Sequence, residues 1–488
     1  MAHDALPRPT FTNSDRIIAR TVFRPFQNFM HQEAGGGIVL IIATVVALIW
    51  ANSPWSDAYA DLWHAHASVA VGSWHLDLSL HHVVNDLLMA IFFFVVGLEI
   101  KRELVVGELR TLRAAALPAV GAIGGMVVPA LMFVAFSGGG DAATGWGIPM
   151  ATDIAFAVGV VALLGSRVSA RLKLFLLTLA IVDDIGAVAV IAIFYSDGLN
   201  FTWLLVALAG IVAVNVMKKL QVWSLAPYMV VGIFVWYATF ESGVHATIAG
   251  VVLGLSAPAK PLLARVNQNV SLVLGEDADA RQVRAAAWHV SETASVAARL
   301  QEALHPYTAF LIIPLFALAN AGLPLSGEVI ADAIGSGVTW GVAMGLVVGK
   351  PLGITLAVFL AVKMFGFELP AGMRWAEFVG MGLAAGIGFT VSLFVAELAW
   401  TTGDSSAFTS QAKMGVLFAS LVAAVLAALV LYLVADASDE DPLVEGAPIL
   451  DKPEESESQA VPPAVASSRA PGSGAAATEH ELADPTPS

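Results

Sequence analysis

Apolar residues in this chain do not alternate with polar ones; they run. Twelve such runs stand out, at about 36–51, 83–100, 114–136, 145–165, 172–195, 201–217, 224–240, 243–256, 302–323, 337–362, 375–400 and 412–435. Most have roughly the 17–25 residues that carry a helix across a hydrocarbon core about 30 Å thick. The eighth is short, and the fourth and eleventh are interrupted, so eleven to thirteen spans fit the pattern. The expected fold is an all-α polytopic membrane protein of about twelve transmembrane helices.

The polar residues between the runs set the orientation. Arg8, Arg16, Arg20 and Arg24 precede the first run, and Lys101, Arg102, Arg110 and Arg113 follow the second. Arg167, Arg171, Lys173, Lys218 and Lys219 follow the fourth and sixth, and Lys260, Arg265, Arg281, Arg284 and Arg299 separate the eighth from the ninth. Lys363 and Arg374 separate the tenth from the eleventh. The alternate loops, 52–82, 137–144, 196–200, 241–242, 324–336 and 401–411, hold no Lys or Arg; Lys413 alone sits at an outer end. By the positive-inside rule both termini are cytoplasmic and the number of spans is even.

Composition agrees with that class. Hydrophobic residues make up 57% of the 488, and charged residues 13%, about half the share in soluble domains. The net charge of −15 owes much to an acidic tail, and the absence of cysteine excludes disulfides and thiol chemistry. About 35 mostly polar residues precede the first run, so it reads as a retained span and not as a cleaved signal. Three regions result: a cytoplasmic segment 1–35, a membrane domain 36–435, and a tail 436–488 rich in Pro, Ala, Ser and Glu that reads as disordered. The inner loop 260–299 is long and of mixed charge, with no chemical motif.

One outer loop carries its own pattern. Ser68 to Val71, Gly72-Ser73, then Trp74 to Leu78 alternate around a two-residue turn, which predicts a small β-hairpin. An isolated hairpin is marginal in water, so its edge packs on its own protein or on a second copy in a homodimer.

The chemistry lies inside the runs. Asp183 and Asp184 fall near the middle of the fifth, where each carboxylate costs at least about 2.5–3.5 kcal/mol on insertion scales. Such a pair is either a structural ion pair between helices or a cation and proton site. Pro149, Thr152 and Asp153 interrupt the fourth run, Lys350-Pro351 the tenth, and Gly386, Gly388 and Thr390 the eleventh. Broken helices at membrane depth occur where they are buried or line a cavity. Their half-helix ends carry partial charges, which Asp153 is placed to offset at the positive ends and Lys350 at the negative ones. A break in each half points to a transporter site between two inverted repeats, runs three to five and ten to twelve.

Adjacent carboxylates titrate as a coupled unit, and a hard cation competes with their protons for the same oxygens. A cavity open to one side at a time then gives exchange. No nucleotide-binding loop or nucleic-acid motif is visible, so an ion gradient supplies the energy. An intramembrane aspartyl protease has only Gly138 to Asp141 in its favour, in an outer loop; a channel lacks a repeated filter loop. A transporter for another solute is the main rival, and the paired aspartates favour a cation.

The stretches Ala151–Ala157, Ile181–Ala187, Gly349–Gly353 and Gly386–Thr390 closely resemble the bacterial Na+/H+ antiporters of NhaA type. So do Gly97–Leu104, Ser242–Thr247 and Leu315–Gly322, and the resemblance runs from about residue 30 to 435. It implies a multi-pass inner-membrane protein, not an enzyme, that exchanges Na+ or Li+ for H+ without a cofactor. Asp184 would be the principal carrier of Na+ and H+, and Asp183 a second carrier or the salt-bridge partner of Lys350. Thr152 and Asp153 would belong to crossing broken helices. Glu99, Arg102 and Glu103 would lie at a cytoplasmic entrance linked to pH control, and His245 matches a position of pH response, or is a hydrogen-bonded core histidine. Gln301-Glu302 before Leu304-His305-Pro306 departs from some relatives, which touches the pH set-point.

Overall fold

The computed structural model describes residues 33–72, 74–196, 198–220, 222, 225–260, 294–367, 369, 373–400 and 406–434. Nearly all of the N-terminal segment, most of the 260–299 loop and the whole tail from 436 lie outside the described residues. Two contact-defined units, Met1–Glu440 and Asp441–Ser488, divide the chain, and every described residue belongs to the first.

The described chain is almost entirely helical. Seven continuous helices are long and apolar enough to cross a membrane: Leu80–Val105 (α3), Arg113–Ser137 (α4), Ala170–Phe194 (α6), Phe201–Lys219 (α7), Val296–Asn320 (α10), Gly337–Phe365 (α12) and Ala407–Val434 (α15). Three bent pairs raise the number to ten: α1 (Glu33–Ala51) with α2 (Ser56–His64), the 3-10 helix Gly140–Met150 with α5 (Ile154–Leu163), and α13 (Trp375–Ala385) with α14 (Phe389–Ala399). The seventh and eighth runs form the shorter helices α8 (Leu225–Glu241) and α9 (Ala246–Ser256). The outsides of several spans are apolar: Leu421, Val425 and Leu429 recur every four residues on α15, each at least half exposed. In water such a stripe would be an adhesive patch; against lipid tails it is matched.

Each interruption has a local cause. Pro149 has no N–H to continue a helix, and the chain leaves the 3-10 helix in extended form at Ala151 before bending 46° into α5. The α13 to α14 break bends 49°. There a Cβ at Gly386 would run into the Leu346 carbonyl, and one at Gly388 would lie 3.1 Å from the Ala151 carbonyl. Only glycine admits that approach. In α12 a π-turn, Gly345–Gly349, sits just before Pro351 and widens the helix where the proline ring would meet the carbonyl four residues back.

The hairpin forms as β1 (His66–Val71) and β2 (Trp74–Ser79), antiparallel, with Val71 opposite Trp74 across the turn. It is slightly longer at both ends than the sequence pattern indicates. Two short helices between the runs have no counterpart in that reading. One is α2, which folds back by 114° from α1, buries Tyr59 and Trp63, and bonds the Tyr59 hydroxyl to the Leu318 carbonyl at 2.7 Å. The other is α11 (Gly327–Gly335), capped by Ser326.

Candidate functional site

The two breaks meet. The Asp153 backbone N–H donates to the Ile387 carbonyl at 2.7 Å, and Ser392 Oγ donates to the Ile148 carbonyl at 2.8 Å. At this junction four half-helix ends come together, each with unsatisfied backbone groups and a partial charge.

Side chains answer all four. Asp153 Oδ1 accepts from the Phe156 N–H at 3.0 Å and so caps α5. Its other oxygen accepts from the N–H and the hydroxyl of Thr390, at 3.1 and 2.6 Å, at the start of α14. One carboxylate thus serves two positive helix ends. At the negative ends, Lys350 Nζ donates to the Met150 carbonyl, where the 3-10 helix stops, and Thr152 Oγ1 lies 2.9 Å from the Ala385 carbonyl, where α13 stops.

The aspartate pair of α6 faces this junction, and its members differ. Asp183 Oδ2 accepts from Lys350 Nζ at 2.6 Å, an ion pair with both side chains essentially sealed from solvent. Thr152 Oγ1 stands 2.6 Å from the same oxygen. Its single proton cannot serve Asp183 and the Ala385 carbonyl together, so it has two positions to choose between. Asp183 Oδ1 is buried with no hydrogen-bond partner.

Asp184 is buried too, at 6% exposure, yet among the described residues it has no hydrogen-bond donor. The charges that act on it are those of Asp183, Glu99, Lys350 and Asp153. Three further carboxylates therefore surround it, with one lysine, already engaged, to balance them. An excess of negative charge in a low-dielectric site is resolved by protons or by a cation. The oxygens of Asp183 and Asp184 and the Thr152 hydroxyl are the hard donors that a small alkali cation takes. Among the described residues no cluster of three His, Cys, Asp or Glu could hold a resident metal ion.

The junction thus gathers Asp183, Asp184, Thr152, Asp153 and Lys350. Glu99, on α3, is near enough to act electrostatically on Asp184. Arg102 and Glu103 lie beyond it toward the C-terminal end of α3; Arg102 is exposed, and Glu103 accepts from the Glu108 N–H at 3.0 Å. His245 stands apart from the junction. It occupies the N-cap position of α9, and its ring pairs with the Tyr195 carbonyl just past the C-terminal end of α6. Tyr195 in turn accepts from the Gly147 N–H at 3.1 Å and donates to the Thr144 carbonyl at 2.8 Å, which anchors the 3-10 helix. The carbonyls of Met150 and Ala385 are absent from a site read off the sequence, because backbone oxygens leave no mark there; Thr390 is marked in sequence as part of the break in the eleventh run, without its role toward Asp153.

Comparison with known proteins agrees on one family. The family model described as Na+/H+ antiporter 1 matches residues 27–431. The chain is 46% identical over 423 residues to the Na+/H+ antiporter NhaA 2 of Myxococcus xanthus, covering 84% of this chain and 89% of that protein. It is 45% identical over 408 residues to the Na+/H+ antiporter NhaA 3 of Frankia alni, with 83% and 88% covered. With the Na+/H+ antiporter NhaA of an Anaeromyxobacter species the identity is 45% over 449 residues, with 90% and 97% covered.

Proposed function

This chain belongs to the Na+/H+ antiporter 1 family, and from that premise we propose that it exports cytoplasmic Na+, or Li+, in exchange for external H+. One observation carries the mechanism: Asp183 is held by Lys350 and Thr152, while its neighbour Asp184 is buried with no donor. Asp184 is the carrier, binding a proton or a cation but not both.

The exchange is electrogenic. A cation that enters between the two aspartates takes the place of the Asp184 proton and draws Asp183 from Lys350, whose ammonium then loses its counter-charge and releases a second proton. Two protons move against one cation, and each cycle carries one net charge. A potential of 100 mV is worth about 2.3 kcal/mol per charge moved, more than the roughly 1.4 kcal/mol of a tenfold Na+ ratio. Glu99, Arg102 and Glu103 line the inner approach and, with His245, tune activity to pH.

Access alternates between the sides as two groups of helices shift about the junction. The fold supporting it has twelve spans, with α8 and α9 counted among them, and two inverted repeats whose broken helices cross. In favour of a two-fold relation, the third and tenth runs touch reciprocally: a Cβ on Gly124 of α4 would strike the Gly353 carbonyl, and one on Gly353 of α12 the Gly124 carbonyl. The protein resides in the bacterial inner membrane with both termini in the cytoplasm, and pairs into a homodimer through the hairpin at residues 68–78.

The deciding experiment is Na+-dependent dissipation of a pH gradient in everted vesicles. The native chain should collapse the gradient and Asp184→Asn should not. A variant that exchanges at the native rate would remove Asp184 from the mechanism.

A further inference from the structure

A second polar cluster, half-buried around a buried asparagine pair, lies on the outer side, apart from the aspartate junction. Asn320 at the end of α10 donates from Nδ2 to Asn85 Oδ1 of α3 at 2.8 Å, which ties those two helices together. On the other side Glu397 of α14 is ion-paired to Lys413 of α15. His81 of α3 stands between them, its Nε2 3.1 Å from Asn320 Oδ1 and 4.0 Å from Glu397 Oε1.

Three features set the cluster apart from ordinary packing. Lys413 is the one basic residue at the outer end of a run, and Glu397 is its partner. Phe394 and Phe316 lie one turn from Glu397 and Asn320 on their own helices; Phe93 of α3 packs on Phe394 with centroids 5.4 Å apart, and Phe316 of α10 meets the same ring at 6.2 Å. All three rings are buried, so the same helices that the polar cluster joins are plugged by aromatics beneath it. Finally, α14 begins at Phe389, next to Thr390, the residue that grips Asp153. A force on Glu397 is therefore delivered, within one short rigid helix, to the junction that faces the aspartates.

We propose that His81, Glu397 and Lys413 form an outer latch that closes the path from the aspartates to the outside and must part for the cation to leave. The proposal rests on the alternating-access reading above. α3 and α10 make one jaw, α14 and α15 the other. His81 is the reversible contact, because it stands 4.0 Å from Glu397, beyond hydrogen-bond reach and only within ion-pair range, while each jaw is tied more closely within itself.

The chain has no cysteine, so introduced thiols report alone. His81→Cys/Glu397→Cys, bridged by a short bifunctional thiol reagent, should lose Na+-dependent proton flux by about tenfold or more and regain it on reduction. If the bridged protein exchanges as fast as the same protein after reduction, the jaws do not part there and the latch is wrong. A second arm does not need that pair to function. Met89→Cys, one turn deeper than Asn85 and 1% exposed, is labelled from outside by an impermeant maleimide with and without Glu397→Gln. Faster labelling with Glu397→Gln supports the latch, and equal rates overturn it. If the native chain shows no Na+-dependent flux at all, the antiport reading fails, and the labelling comparison still judges the contact between the helices.

Discussion

The junction of broken helices and the outer cluster are both lysine–carboxylate pairs in apolar surroundings, and they are built to opposite ends. At the outer cluster one carboxylate, Glu397, faces one lysine and a histidine, so its charge is met in full. At the junction Lys350 faces Asp183, and Asp184, Asp153 and Glu99 remain around them. Asp153 is spent on two helix ends. What is left over falls on Asp184. A buried cluster whose charges balance holds elements together; one with a carboxylate to spare needs a mobile partner. The contrast separates a fastening from a binding site without reference to sequence motifs.

The largest effect that would test this contrast is the loss of each lysine. Lys350 is wholly enclosed, so Lys350→Ala should cost about 3–5 kcal/mol of stability by leaving Asp183 unpaired. Lys413 is at the rim, and Lys413→Ala should cost less, about 1–3 kcal/mol. Denaturation of both purified variants in detergent measures the difference, and equal losses would erase the distinction drawn here. Next in size is the charge carried per cycle. Asp183→Asn should leave slow exchange through Asp184 and reduce or abolish the transient current on a solid-supported membrane. Undiminished current would make Asp183 a structural partner only. The smallest effect on exchange belongs to a region outside both clusters. Removal of residues 68–78 should weaken dimerisation in detergent, read by light scattering, while Na+-dependent flux in vesicles falls less than about twofold, since the hairpin contributes none of the residues that form the junction.

Much of this architecture is legible because bilayer-spanning helices are dictated by length and hydropathy, which sequence records directly. Pro149 and the Gly386/Gly388 pair mark the breaks, and two aspartates within an apolar run mark the candidate site. Other parts depend on contacts between distant residues. That Asp183 is the partner of Lys350 is one of two roles the sequence leaves open, since both aspartates stand at the same depth. The Met150 and Ala385 carbonyls have no side-chain signature. The π-turn before Lys350 shifts one residue of register, too little for an apolar run to register. The nine-residue helices α2 and α11 are short and partly polar, and they are held by contacts such as Tyr59 on the Leu318 carbonyl. Lys413 is visible in sequence only as an exception to the charge pattern; its reason, Glu397, lies on another helix.

The double capping by Asp153 has a consequence for how the protein is made. Asp153 leaves the ribosome 237 residues ahead of Thr390, and Met150 200 residues ahead of Lys350. At roughly 5–20 residues per second, the first break therefore waits on the order of 10–50 s in the nascent chain with one of its helix ends and its carboxylate only half answered. The latter half of the chain is thus the sealant of the earlier half, and a synthesis halted before the tenth run yields a membrane protein with an open seam.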